Sequence, residues 1–149
     1  MIDRHLDGEP GNPAFQLNQI ARMMVRYFDR LLAPLRINVA NLAVLGALRE
    51  TEGLSQKELT EIGRIGQPAM AQMLDRMLKE GLLVREQDAS DRRRAIFTLS
   101  AAALHVFPQL EAVLEKGNAE AFSVLTASEL EELLRILKKL EQHLGTLRD

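Results

Sequence analysis

Apolar residues recur at three- and four-residue steps along Phe15, Leu17, Ile20, Ala21, Met24, Val25, Phe28, Leu31 and Leu32. That period predicts a helix with one continuous apolar face. Asn12-Pro13 suits its start, because the asparagine side chain can accept an orphan N–H and proline lacks one where none is needed. Pro34 ends it. A second helix is expected behind Asn38, with Val39, Leu42, Ala43, Leu45 and Leu48 inward, stopping before Gly53. Ser55-Gln56-Lys57-Glu58 reads as a capping box opening a short helix over Leu59 and Ile62. Gly63 to Gly66 makes a turn. The next helix runs from about Gln67 to Glu80 through Met70, Met73, Leu74, Met77 and Leu78, with Gly81 as its left-handed stop.

The period then shortens. Leu82–Glu86 and Ala95–Leu99 are strand candidates joined by a polar tip too long for a two-residue turn. Ser100 can cap a helix through Leu104, Phe107, Leu110, Val113 and Leu114, with a bend expected at Pro108. Thr126-Ala127-Ser128-Glu129 is a second capping box, and Leu130, Leu133, Leu134, Leu137, Leu140, Leu144 and Leu147 line the helix behind it. Residues 1–11 read as a flexible N-terminal tail. The pattern predicts a mainly α fold with a small β-wing. A winged helix-turn-helix head occupies 38–99, and 12–37 with 100–149 form a helical dimerisation region. The apolar faces of the first and last helices exceed what a small head can cover, so a homodimer is expected.

At 149 residues, 46% hydrophobic and 27% charged, the chain can bury one real core. A formal charge of −2 disfavours a generic polyanion binder, but the charge is unevenly placed. Residues 64–94 hold seven basic and five acidic side chains, whereas 111–149 hold five and eight. A phosphate contact is governed by the local surface, since salt screens charges beyond about 8–10 Å. There are no cysteines, which removes disulfides and thiolate-ligated metals. No apolar run approaches the roughly 20 residues needed to span a bilayer. A cytoplasmic, nucleoid-associated protein without membrane contact is expected.

In a helix-turn-helix the second helix presents its N-terminal half to base edges in the major groove. Gln67, Pro68, Ala69, Ala71 and Gln72 occupy that position, with Arg76 one turn further on. Alone, such a helix is more often an amphipathic packing element. The wing changes that balance. Asp91, Arg92, Arg93 and Arg94 crowd its tip behind Arg85, and arginine suits the negative potential of a narrow minor groove. Asp91, two residues before Arg93, is expected to hold that guanidinium extended. Double-stranded DNA is therefore the predicted partner, with A·T-rich sequence favoured by the glutamines and alanines of the reading helix. A winged-helix protein-interaction module without DNA binding is the alternative, motivated by the alanine-rich face. His5, His105 and His143 lack metal-ligand spacing, and no catalytic constellation or cofactor motif stands out. Neither a metal, a cofactor nor an enzyme is expected.

These features together resemble the MarR family of bacterial transcription regulators. The resemblance rests on Leu54-Ser55-Gln56-Lys57-Glu58-Leu59, on Gln67-Pro68 and Leu74-Asp75-Arg76-Met77, and on Gly81-Leu82-Leu83-Val84-Arg85. Asp88-x-x-Asp91-Arg92-Arg93 leading to Leu99-Ser100 completes it. It implies a homodimer whose first and last helices interlock and whose two heads bind a palindrome. It also implies a wing-tip pair of Asp91 and Arg93, with Arg93 in the minor groove, and phosphate or wing-bracing roles for Arg85 and Arg76. A repressor released by a small-molecule effector bound between the dimerisation helices and the head is expected, with Met23, Met24 and Tyr27 as candidate lining. Core packing is the commoner role for such methionines. Three departures stand out: Ala69, Ala71 and Gln72 replace the Ser/Thr and Arg of many members, Ala103 replaces a usual Gly, and the missing cysteine excludes the peroxide-sensing branch.

Overall fold

The computed structural model describes residues 11–147. The proposed tail at 1–11 and His5 therefore lie outside the described residues, apart from Gly11. Six helices and one hairpin follow in the order α1 (Pro13–Leu32), α2 (Val39–Arg49), α3 (Gln56–Gly63), α4 (Gln67–Lys79), β1 (Leu83–Gln87), β2 (Ala95–Leu99), α5 (Ala101–Ala121) and α6 (Ala127–Thr146). The chain divides into two compact units at Val113/Leu114, within α5.

Local chemistry sets the element ends of the first unit. Asn12 Oδ1 accepts the N–H groups of Ala14 and Phe15 at 3.0 and 3.3 Å, opening α1. Beyond Leu32 a 3-10 turn at Ala33–Leu35 absorbs Pro34, and Arg36 turns left-handed. Asp29 Oδ1 then accepts the Val39 N–H at 2.8 Å, tying α1 to the first turn of α2. Asn38 and Asn41 exchange reciprocal capping bonds, each at 3.0 Å.

The buried face of α2 is Asn41, Val44, Leu45 and Leu48, and Ala43 is exposed, contrary to expectation. The helix can turn Asn41 inward because the capping box occupies its side-chain oxygen, which a hydropathy pattern does not register. Ile62 is likewise half-exposed, and only Leu59 of α3 is buried. In α5 the inward positions are Ala103, Phe107 and Leu110, while Leu104 is exposed. Leu32, Val44, Leu45, Leu59, Met70, Leu74 and Met77 form the most deeply buried cluster.

The hairpin begins one residue later than expected. Its antiparallel register pairs Leu83 with Leu99, Arg85 with Phe97 and Gln87 with Ala95. Leu54 adds an isolated bridge to Phe97, with N–H···O bonds of 3.1 and 2.8 Å. Gly53 permits this approach. It has φ +140°, and a Cβ there would lie 2.4 Å from Ile96 Cγ2. Gly81 ends α4 with φ +76° as expected. Ser100 links α4 to α5, donating to the Gly81 carbonyl at 2.6 Å and accepting the Ala103 N–H at 3.0 Å.

Within the second unit Thr126 and Glu129 form the expected capping box. No residue of α6 is buried, although Leu134, Leu137, Leu140 and Leu144 are large and apolar. Pro108 sits inside α5, which continues past it to Ala121. Among the described residues, no single helix is long and apolar enough to cross a membrane.

Candidate nucleic-acid interface

α3 and α4 meet through a short turn in which the non-glycine Arg64 adopts φ 53°. Gly63 matters at this corner, since a Cβ there would come within 3.0 Å of Met70 Cε. Burial of Met70, Leu74 and Met77 turns the opposite face of α4 outward. Gln67, Pro68, Ala69, Ala71, Gln72 and Arg76 are all exposed on that face. Gly66 provides no side-chain cap, so the first-turn N–H groups of α4 have no capping side chain over them.

Gln67 is not a free reader. Gln56 Nε2, from the first turn of α3, donates to Gln67 Oε1 at 3.1 Å and lies 3.5 Å from the Gln67 carbonyl. Gln56 held no assigned role in the sequence. Its position as the first residue of one helix, facing the first residue of the next, emerges only in the fold.

The wing loop is organised by two aspartates. Asp88 Oδ1 accepts both the backbone N–H and the hydroxyl of Ser90, at 3.0 and 2.8 Å. These bonds, followed by the nearby Arg94 charge, hold the Asp88 carboxyl below the usual carboxylate range. Asp91 Oδ1 accepts the Arg93 backbone N–H at 3.0 Å. The expected brace between Asp91 and the Arg93 guanidinium is thus replaced by a bond to the Arg93 main chain. An aspartate two residues upstream closes more readily on the nearby amide than on the end of a long side chain.

Arg94 behaves differently from its two neighbours. It turns back to α3, where its guanidinium meets Glu58 at 2.6 Å and lies 3.9 Å from Asp88. Glu58 also accepts the Ser55 N–H in its capping box at 2.7 Å. The Ser55 bond foremost, then the Arg94 bond, lowers the Glu58 pKa, and Glu58 in turn raises that of Arg94. Arg85 projects over Phe97, its cross-strand partner, with its guanidinium carbon 5.9 Å from the ring centre. Among the described residues, no ion pair engages Arg76, Arg92 or Arg93.

Ala71, Arg85, Asp91, Arg93 and Arg94 line one open cleft with Lys57, Glu58 and Asp75. The cleft joins α3, α4 and the hairpin. A reading helix flanked by an arginine-bearing hairpin makes this head a winged helix-turn-helix.

Comparison with known proteins agrees. Residues 37–94 match the model of the MarR family. The structure is similar to the transcriptional repressor CouR bound to a 23-mer DNA duplex, at 23% identity and TM-score 0.80, covering 87% of this chain and 92% of that one. It is also similar to a probable transcriptional regulator from Pseudomonas aeruginosa, at 25% identity and TM-score 0.80, covering 87% and 97%. A MarR variant from E. coli complexed with operator DNA matches at 25% identity and TM-score 0.75, covering 89% and 99%. The likeness to the MarR family therefore rests on the head at residues 37–94 and on the shared fold.

Proposed function

We propose that this protein is a dimeric DNA-binding transcription regulator, a repressor released by a small-molecule ligand. The observation that carries the DNA reading is the wing. Its aspartates and Glu58 bind the loop backbone and Arg94, while Arg92 and Arg93 are exposed and engage in no ion pair among the described residues. An exposed guanidinium on a fixed loop suits the narrow, negative minor groove, and α4 suits the major groove. Arg76 and Arg85 are positioned for phosphate contact, with Arg85 steadied on Phe97. CouR and the E. coli MarR variant, both captured on DNA, support the same use of this fold.

The dimer is favoured by surplus apolar surface on both end helices. Leu17, Ile20, Met23 and Val25 of α1 are more than two-fifths exposed, and so are Leu134, Ile136 and Leu144 on α6. Leaving such faces in water costs about 25 cal/mol per Å², which a second copy recovers. Met24 and Tyr27 are half-buried and Met23 exposed, and we assign them to ligand contact along α1. Binding to the intergenic DNA upstream of its own gene, measured by anisotropy across a salt series, tests the proposal. Salt-insensitive or absent binding to every duplex tried overturns it.

A further inference from the structure

Gln56 and Gln67 open consecutive helices, and their side chains meet. The Gln56 amide nitrogen addresses both the side-chain oxygen and the backbone carbonyl of Gln67. A free exposed glutamine can swing its terminal amide and exchange the positions of donor and acceptor. Here the Gln67 oxygen is fixed toward α3, which leaves its NH2 group as the end free to donate. The same oxygen keeps a second lone pair.

An amide held this way matches adenine, which offers the N7 acceptor and the N6 donor side by side in the major groove. Guanine offers only the acceptors O6 and N7, so the NH2 could donate to it but the second lone pair of the Gln67 oxygen would find no donor. We infer that Gln56 and Gln67 act as one adenine-reading unit, with Gln67 touching the base and Gln56 as a positioning residue that sets which way the amide faces. This inference rests on the DNA-binding reading above and adds the base and the pair that selects it.

Selection of bound duplexes from a random pool, followed by affinity measurements on single-base variants, tests it. The wild type is expected to prefer adenine at one base pair per half-site by roughly five- to 150-fold, the range for one good bidentate contact. Gln67→Ala should abolish that preference. Gln56→Ala should cut it at least about threefold at the same base pair, and the double variant should be no worse than Gln67→Ala alone. Gln56→Glu keeps the side-chain length and suits a first helical turn, yet cannot donate to Gln67, so it should behave like Gln56→Ala. A preference retained in both Gln56 variants, or altered at a different base pair, overturns the paired reading while leaving DNA binding intact. A wild type that selects no sequence would instead overturn the function on which it rests.

Discussion

Arg94 reaches from the end of the wing loop to Glu58 in the first turn of α3, and Glu58 divides its carboxylate between two tasks. One oxygen meets the Arg94 guanidinium at 2.6 Å, and the other accepts the Ser55 N–H at 2.7 Å. A helix cap therefore doubles as the anchor of a wing 36 residues downstream. Both side chains are about two-fifths exposed, so solvent screening leaves the pair little weight in the stability of the fold. Its effect is on wing placement.

Glu58→Gln separates anchoring from direct phosphate contact, because glutamine still completes a capping box but carries no charge for Arg94. If Arg94 anchors the wing, operator binding weakens modestly, because the wing loses one exposed tie to α3. If Arg94 instead serves phosphate and Glu58 merely competes for it, the variant binds DNA more tightly. Anisotropy titration at fixed salt distinguishes the two signs, and tighter binding refutes the anchor.

The same carboxylate sets an acid limit. Its folded pKa lies below the ordinary value of 4.5, so Glu58 contributes stability that is present above that value. The contribution fades as pH falls through the lowered folded pKa. Between pH 7 and 5 it is constant. Below the ordinary glutamate range, wild type should lose stability more steeply than Glu58→Gln in thermal melts. Parallel pH profiles for the two proteins would show that Glu58 does not carry this linkage.

Much of this site was legible from sequence because capping chemistry is local. Asn12, Ser55, Thr126 and Gly81 each act within a few residues, and each lies where its motif placed it. The Glu58–Arg94 pair was not legible, since Glu58 already had a complete explanation as a cap and its second partner comes from another element. Gln56–Gln67 was hidden likewise by the turn between two helices. Asn41 and Ala43 exchanged their expected burial because a satisfied polar side chain can occupy a core position. The leucines of α6 were plain in the sequence, and they remain exposed in the single chain.

Asp91 holds the wing tip through the Arg93 main chain, and this fixes the order of the wing variants. Arg93→Ala should lower both operator affinity and its salt dependence, by about 0.9 in log–log slope if one phosphate-equivalent contact is lost. Asp91→Ala should weaken binding less. Asp91→Asn should stay near wild type, because its side-chain oxygen still accepts the Arg93 N–H. A strong defect in Asp91→Asn would point to the carboxylate charge acting on the guanidinium instead.

The exposed apolar face of α6 predicts an obligate dimer. Leu137→Glu with Leu144→Glu places two charges on that face, where burial against a second copy would desolvate them. The double variant should run as a monomer or aggregate by light scattering and lose high-affinity operator binding. An unchanged dimer places the interface elsewhere.

Gln72 and Arg76 lie one helical turn apart on the exposed face of α4 and should divide base reading from backbone grip. A glutamine near the start of a recognition helix can pair with adenine N6 and N7, and neighbouring Ala69 and Ala71 offer methyl contact to thymine. The selected operator should therefore be an A·T-rich palindrome with half-site centres about one helical turn apart. Gln72→Ala should cost about 1–3 kcal/mol at one base pair per half-site and leave non-specific binding nearly intact. Arg76→Ala should do the reverse, weakening all duplexes alike and reducing the salt slope, because a phosphate contact carries no base information. Both variants keep the buried face of Met70, Leu74 and Met77, so their melting temperatures should match wild type and isolate the DNA effect. A G·C-rich consensus indifferent to Gln72→Ala would assign base reading to other residues of the helix.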